Sequence, residues 1–210
     1  MPSPLRGLYA IIDTDFLASR GIDPLDFAER VLAARPALLQ LRAKLLGARD
    51  ALALSRALQA RCRPLAVPLF VNDRPDLAIL AEASGVHLGQ SELSLADVRR
   101  LAPELAVGVS THALDEVDRA LEERPAYVAF GPVFTTASKR NPEPVVGLAL
   151  LAEAARRCRR VDVPLVAIGG IDESRALGVG EIADLGAVIS GLLPAAGLEQ
   201  VTQAAARLHG

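Results

Sequence analysis

The feature that most constrains the fold is a repeated alternation of short apolar runs with amphipathic segments. Continuous apolar runs are typical of parallel strands that helices cover on both faces. Eight such repeats favour a closed barrel over an open doubly wound sheet, so the predicted fold is α/β, a compact single-domain (β/α)8 TIM barrel. The predicted strands are residues 7–13, 38–43, 68–72, 85–89, 106–110, 126–131, 164–168 and 186–190. The predicted helices are residues 24–32, 50–61, 76–83, 95–101, 114–123, 147–159, 173–182 and 194–208.

Composition limits the classes of function. The chain has 210 residues, of which 51% are hydrophobic, and we expect residues 1–210 to form one domain. A formal net charge of -2 argues against a nucleic-acid or membrane-surface binder. No apolar run approaches the ~18 residues of a membrane span, and the first residues lack the apolar stretch of a secretory signal. Cys62 and Cys158 are isolated, so we expect a reduced, cytoplasmic protein. A monomer and a homo-oligomer are both compatible with this composition.

The second predicted strand carries an unusual polar face. At a period of two residues, Gln40, Arg42 and Lys44 share one face, and Leu39 and Leu41 lie on the other. Two cations on an apolar strand are costly to bury unpaired, so this face would open on a site that receives anions. The alternative is an edge strand with a solvated outer face. As strand two of a closed barrel, the face would instead point inward near the carboxyl-terminal mouth.

Polar residues and glycines gather after the predicted strands, on the side where the active sites of this fold lie. Gly169-Gly170 and Ser190-Gly191 follow strands seven and eight, where paired loops commonly bind phosphate. The long irregular stretch 132–146 is a candidate functional loop. Each polar residue also has a structural explanation, such as a turn, a helix cap or, for His87 and His112, a packing role. The polar residues in question are Asp13, Gln40, Arg42, Lys44, Asn72, Asp73, Gln90, Glu92, Ser110, Thr111, Lys139 and Ser190.

Two carboxylates suggest a metal. Asp73 and Glu92 lie near the ends of strands three and four, close to the predicted cationic face. Hard oxygen ligands beside cations fit a Mg2+ ion that phosphate oxygens and water complete. Alternatively, the two carboxylates neutralise Arg42 and Lys44.

Seven motifs in one order and spacing resemble those of thiamine phosphate synthases over nearly the whole chain. They are Gln40-Leu-Arg-Ala-Lys44, Val71-Asn-Asp-Arg74, Gly85-Val-His-Leu-Gly-Gln90, Gly108-Val-Ser-Thr-His112, Gly131-Pro-Val-Phe134 with Thr136-Ala-Ser-Lys139, Ala167-Ile-Gly-Gly-Ile171 and Val188-Ile-Ser190. The resemblance implies condensation of hydroxymethylpyrimidine diphosphate with thiazole phosphate, giving thiamine phosphate and pyrophosphate. In that family the diphosphate leaves first, and the thiazole nitrogen attacks the resulting pyrimidine methyl cation. Such chemistry needs charge stabilisation and orientation and no protein nucleophile.

The resemblance also implies roles for individual residues. Asp73 and Glu92 would bind Mg2+, Ser110 would contact the diphosphate, and Lys139 would neutralise it as it departs. Arg42 and Lys44 would clamp the diphosphate. The pyrimidine diphosphate would be held by Gln40, Leu41, Arg42, Ala43, Lys44 and Asn72. The thiazole phosphate would be held by Thr136, Ala137, Ser138, Gly170, Ile189 and Ser190.

The chain departs from the family pattern at several positions. Glu92 stands where the family usually has Asp, and it reaches one methylene further. Thr135 and Ser138 replace the usual Pro and Thr of the phosphate loop, and Ser174 and Arg175 stand where Asn is common. Two alternatives stay open at this point: a thiazole tautomerase with the same barrel, and a non-catalytic phosphate-binding barrel. The tautomerase-like relatives tend to lack the Asn-Asp pair and the cationic second strand.

Overall fold

A computed structural model describes residues 5–136, 143–195 and 197–209. Eight parallel strands close into a barrel in sequence order, with β8 paired to β1. The strands are β1 (Gly7–Asp13), β2 (Leu38–Arg42), β3 (Leu69–Asn72), β4 (Gly85–Leu88), β5 (Ala106–Thr111), β6 (Tyr127–Phe130), β7 (Leu165–Ile168) and β8 (Leu185–Val188). The predicted (β/α)8 TIM barrel is therefore confirmed.

Helices connect the strands and cover the outside of the barrel. They are α1 (Thr14–Ala18), α2 (Pro24–Ala33), α3 (Ala48–Cys62), α4 (Pro75–Leu80), α5 (Leu95–Leu101), α6 (Leu114–Glu122), α7 (Gly147–Arg160), α8 (Glu173–Gly180) and α9 (Val201–His209). Within the described ranges, no helix is both long enough and apolar enough to cross a membrane.

Several elements differ in extent from the sequence-based predictions, and three differences have a clear physical reason. The short helix α1 was not predicted; it forms because the Asp13 side chain accepts hydrogen bonds from the backbone amides of its first turn. Strand β8 ends at Val188, since Ser190 already begins a 3-10 turn, Ser190–Leu192. The last helix begins at Val201 instead of residue 194, after a glycine with positive φ at Gly197.

Alternation along the strands divides the core into two layers. Leu39 and Leu41 belong to the larger cluster between the strands and the helices. Leu38 belongs to the cluster inside the barrel, and Gln40, on the same face, is only 2% exposed. The interpretation of β2 as a solvated edge strand is wrong, because a closed barrel has no edge and the Gln40 face points inward.

The two cysteines are free and do not belong to the cluster inside the barrel. Cys62 and Cys158 are buried thiols in the outer core cluster. Burial raises the pKa of each thiol to about 12. At neutral pH both are therefore protonated packing groups.

Candidate active site

A cavity of about 480 Å³ opens at the carboxyl-terminal end of the barrel. This is the end where TIM-barrel enzymes carry their active sites. The structure brings most of the predicted site residues to its wall. Those that line it are Gln40, Arg42, Lys44, Asn72, Asp73, Glu92, Ser110, Thr136, Gly170, Ile189 and Ser190.

The other predicted site residues lie elsewhere or outside the described ranges. The Leu41 side chain is buried in the outer core cluster, and Ala43 packs beside that cluster. Any contact of these two with a ligand would come from their backbone. Ala137, Ser138 and Lys139 fall outside the residues that the structure describes.

Arg42 is held by Asp13, which was predicted to lie at the barrel mouth but not to pair with Arg42. Asp13 and Arg42 are register partners in the β1–β2 ladder. The Arg42 Nη1 donates to Asp13 Oδ2 at 2.5 Å, with the two side chains 18% and 3% exposed. The other Asp13 oxygen caps α1. This arrangement fixes the guanidinium at the cavity wall.

Lys44 and Asp73 form a second, more open ion pair. Lys44 Nζ lies 3.1 Å from Asp73 Oδ2, with side chains 47% and 20% exposed. Asp73 has φ +62°, and its backbone N–H donates to the His87 carbonyl oxygen at 2.8 Å. Non-glycine residues rarely adopt this left-handed backbone conformation, so we infer that the loop holds the Asp73 carboxylate in a defined position. The proposed neutralisation of cations by carboxylates thus applies to Asp73 and Lys44, whereas Arg42 is neutralised by Asp13.

Glu92 lies on a neighbouring wall of the cavity. Its carboxylate receives a hydrogen bond from Ser91 Oγ at 3.1 Å. A Cβ at Gly89 would lie 2.5 Å from Glu92 Oε2, so the side chain folds back over this glycine. The longer Glu side chain fits here because Gly89 leaves the space above its backbone open.

Two carboxylates on the cavity supply the type of oxygen donor that Mg2+ prefers. Asp73 and Glu92 supply hard carboxylate oxygens on one cavity, beside a cation. Among the described residues, no group of three or more His, Cys, Asp and Glu side chains could hold a metal. Mg2+ commonly binds through one or two carboxylates, with phosphate oxygens and water completing its shell.

Two glycines shape the opposite wall. Gly169 and Gly170 have φ of +100° and +66°, which favours glycine. A Cβ on Gly170 would lie 2.5 Å from the Thr135 carbonyl oxygen, and one on Gly169 would lie 2.6 Å from Pro132 Cβ. Bare backbone is therefore required where this loop meets the residues after β6.

Arg175 contacts this loop through its guanidinium. In the sequence it stands out only as a departure from the family pattern. Its Nη1 donates to the Gly170 carbonyl oxygen at 2.5 Å, and its guanidinium lies 4.7 Å from the centre of the Phe134 ring. Ser190 stands nearby on the cavity wall, at the start of the turn after β8. The cavity thus has a cationic wall at β2–β3 and a glycine-rich wall at β7–β8.

Comparison with known proteins identifies the family. Residues 8–192 match the sequence profile described as thiamine monophosphate synthase. A thiamine-phosphate synthase of Methanocella arvoryzae is 40% identical over 207 residues, covering 96% of this chain and 92% of that protein. One of Thermus thermophilus is 47% identical over 148 residues, 70% of each chain. The chain belongs to the thiamine monophosphate synthase family.

Solved structures agree with this family. The thiamine phosphate pyrophosphorylase of Pyrococcus furiosus superposes with a TM-score of 0.83 at 30% identity, covering 96% of this chain and 93% of the other. A 3-hexulose-6-phosphate synthase superposes with a TM-score of 0.67 at 19% identity, which shows the shared barrel alone. The expected function, thiamine phosphate synthase, and the expected class, a transferase, are confirmed. None of these matches favours the tautomerase or the non-catalytic barrel.

His112 lines the cavity and is held in a fixed orientation. Its Nδ1 lies 2.5 Å from the Gly131 carbonyl oxygen, and its backbone N–H donates to Glu116 Oε2 at 2.6 Å. A carbonyl oxygen only accepts, so His112 Nδ1 carries a hydrogen. These contacts orient the ring at the rim, as expected of a packing or orienting residue.

Beneath the residues that line the cavity, the barrel interior holds two buried tyrosines that the sequence patterns did not reveal as site residues. Tyr9 and Tyr127 lie inside the barrel, 1% and 0% exposed, with their hydroxyl oxygens 2.7 Å apart. Burial raises the pKa of both hydroxyls well above the ordinary range, so both stay protonated. Gln40 and His87 bind them from either side. Within single strands these tyrosines read only as apolar core positions, so no local pattern could reveal the cluster.

Proposed function

We propose that this cavity joins hydroxymethylpyrimidine diphosphate to thiazole phosphate, giving thiamine phosphate and pyrophosphate, by a dissociative and Mg2+-assisted reaction. The observation that carries the proposal is that two walls of different chemistry, one cationic and one rich in glycine, face one cavity. The wall at β2 and β3 supplies the cations Arg42 and Lys44, and the wall at β7 and β8 supplies the glycine loop and Ser190. Two substrates, each with its own phosphate groups, need such a pair of walls.

The cationic wall would bind the diphosphate. Arg42 is presented by its ion pair with Asp13, and its planar guanidinium suits phosphate oxygens. Lys44 is more exposed and can pair with an incoming anion while it remains near Asp73. Asn72 and Ser110 supply neutral polar groups on the same cavity.

Asp73 and Glu92 would hold the Mg2+. When bound, the ion would neutralise negative charge on the diphosphate and favour its departure. Support for this assignment is the position of both carboxylates on the cavity and the family resemblance. The hydroxyl of Ser91 donates a hydrogen bond to the Glu92 carboxylate and helps to orient it.

The glycine-rich wall would bind the thiazole phosphate. Gly170 brings bare backbone to the cavity, and Thr136, Ile189 and Ser190 line it beside the loop. Ala137 and Ser138, from the resemblance alone, would complete the phosphate cradle. Lys139, on the same grounds, would neutralise the diphosphate as its bond to the pyrimidine methylene breaks.

The chemistry follows from this placement. The carbon–oxygen bond of the pyrimidine methylene breaks first, and its electron pair leaves with the diphosphate. The ring nitrogen of the thiazole then donates its lone pair to the resulting pyrimidine methyl cation and forms the new carbon–nitrogen bond. The protein's own groups bind and orient the two substrates and stabilise the departing charge; no protein nucleophile is needed. The two cysteines, which are buried in the outer core, take no part.

Separate binding measurements test the two walls. Lys44→Met should weaken inorganic pyrophosphate binding about tenfold, the value of one charged hydrogen bond, and leave thiazole phosphate binding unchanged. Arg63→Met is the matched control, because Arg63 pairs with Glu82 on the exposed surface and does not line the cavity. Equal loss for both ligands in Lys44→Met, or no loss for either, would contradict the division into two walls.

A cytoplasmic location is part of the proposal. It is supported by the two free, buried thiols at Cys62 and Cys158, which are typical of a reducing compartment.

A further inference from the structure

Five side chains form one continuous hydrogen-bonded chain across the barrel floor. Gln40 Nε2 lies 2.6 Å from the Tyr9 hydroxyl, which lies 2.7 Å from the Tyr127 hydroxyl. Tyr127 lies 2.9 Å from His87 Nδ1, and His87 Nε2 lies 2.8 Å from Ser110 Oγ. The two ends, Gln40 and Ser110, both line the cavity. The chain therefore leaves the cavity lining at Gln40 and returns to it at His87 and Ser110.

The chain has a single direction once its first donor is known. The Gln40 amide nitrogen can only donate, so the Tyr9 hydroxyl accepts from it. Among the described residues the buried Tyr9 hydroxyl has one other partner, Tyr127, so its own hydrogen is satisfied only by donation to Tyr127. Tyr127 then donates to His87 Nδ1, which must lack a hydrogen. This direction requires His87 to carry its hydrogen on Nε2 and to donate from Nε2 to Ser110 Oγ. The Ser110 hydroxyl hydrogen is left to donate to a group in the cavity.

We propose that Tyr9, Tyr127 and His87 are positioning residues that keep Ser110 a hydrogen-bond donor toward an anionic ligand oxygen. The identity of that oxygen, a diphosphate oxygen of the pyrimidine substrate, rests on the proposed function. If the direction were reversed, Ser110 would donate to His87 and offer only lone pairs to the ligand. Lone pairs facing a phosphate oxygen repel it, so the direction of the chain decides whether Ser110 helps or hinders binding.

The packing holds the chain rigidly in place. Tyr9 and Tyr127 meet edge to face with ring centres 5.6 Å apart, and His87 stacks on Tyr127 at 5.7 Å. A Cβ at Gly108 would lie 2.0 Å from the Tyr127 ring, so only glycine leaves room for that ring. Gln40 is 2% exposed and His87 is 6% exposed. An unpaired polar atom that is buried this deeply destabilises the folded state, so the packing favours the arrangement in which every hydrogen bond of the chain is formed.

Nitrogen NMR of the wild-type protein tests the direction without any variant. Long-range proton–nitrogen correlations of ¹⁵N-histidine protein distinguish Nε2–H from Nδ1–H rings. At a pH where both rings are neutral, we expect His87 as Nε2–H and His112, which donates from Nδ1 to the Gly131 carbonyl, as Nδ1–H. His112 is thus an internal control, because its hydrogen is expected on Nδ1 and not on Nε2. His87 found as Nδ1–H would overturn the proposal.

A double-mutant cycle tests the consequence for the ligand. Tyr127→Phe removes the hydroxyl that donates to His87 and should weaken inorganic pyrophosphate binding about tenfold, as for loss of one oriented donor. Ser110→Ala should cause a loss of similar size. In the Ser110→Ala background, Tyr127→Phe should cause no further loss, because the donor it orients is gone. Additive losses would mean that Tyr127 acts only through packing and would overturn the proposal.

The two hypotheses fail separately. Suppose that His87 is found as Nε2–H and that the losses in the double-mutant cycle are non-additive, but that the wild-type protein makes no thiamine phosphate. This result would support the positioning chain and refute the proposed function. An active wild-type enzyme with His87 as Nδ1–H, or with additive losses, would refute the chain alone.

Discussion

The buried ion pair between Asp13 and Arg42 offers the sharpest test of how the cavity is held. Asp13→Asn replaces the Oδ2 that faces Arg42 with an amide N–H, while the Oδ1 that caps α1 is retained. Removing one partner of a buried pair costs about 3–5 kcal/mol, because the remaining charge stays desolvated. Arg42 is 18% exposed beside a water-accessible cavity, so we expect the lower end, about 3 kcal/mol.

Asp23→Asn is the matched control. Asp23 caps α2 through the backbone amides of Leu25 and Asp26, as Asp13 caps α1, but it lies exposed and no ion pair is found for it among the described residues. Asn caps a helix about as well as Asp, so this variant should change the free energy of unfolding by less than about 0.5 kcal/mol.

Urea unfolding of both variants measures the difference. In an Arg42→Met background, Asp13→Asn should cost much less, because the guanidinium that needs a partner is absent. Equal losses for Asp13→Asn and Asp23→Asn, or an unchanged loss in the Arg42→Met background, would refute the ion pair as the element that fixes Arg42.

Three further predictions concern the glycine wall, the metal and the thiols. Gly170→Ala should lower the free energy of unfolding more than Gly147→Ala does, and it should raise the KM for thiazole phosphate. Both glycines have positive φ, but only at Gly170 would the added Cβ meet a close carbonyl oxygen. Equal unfolding free energies for the two variants would contradict this reasoning. Glu92→Gln should shift the Mg2+ titration of activity to higher concentration, and an identical titration would favour a purely structural carboxylate. Burial raises the pKa of Cys62 and Cys158 to about 12, above the unfolded value near 8.5, so their contribution to stability is complete below about pH 8.5 and falls as the pH rises toward 12. Urea unfolding between pH 7 and pH 10 measures this fall, and native thiols that react as fast as unfolded ones at pH 8 would contradict their burial.

The repeat pattern carried enough information to predict the fold. Strand β1 and helix α5 lie at the predicted residues, Gly7–Asp13 and Leu95–Leu101, because turn and capping residues mark their ends. The inward face of Gln40 and Arg42 follows from the strand period once the sheet is closed. Boundaries were wrong where loop chemistry decides, as at Ser190, where a 3-10 turn replaces the strand end.

The partners within the site could not be predicted in the same way. Tyr9 and Tyr127 are 118 residues apart and meet only because the barrel closes. The sequence marks both as apolar strand positions, so their hydroxyl contact is invisible to local patterns. Asp13 was recognised as a mouth residue, but its pairing with Arg42 depends on the β1–β2 register. The roles of Lys139, Ala137 and Ser138, which lie outside the described residues, stay predictions from the family resemblance.

The most direct test of the central claim is a two-substrate assay with and without Mg2+. Folded protein supplied with hydroxymethylpyrimidine diphosphate, thiazole phosphate and Mg2+ should form thiamine phosphate and pyrophosphate in equal amounts, and omission of Mg2+ should suppress both. Absence of both products from folded protein, whichever substrate is added first, would contradict the account.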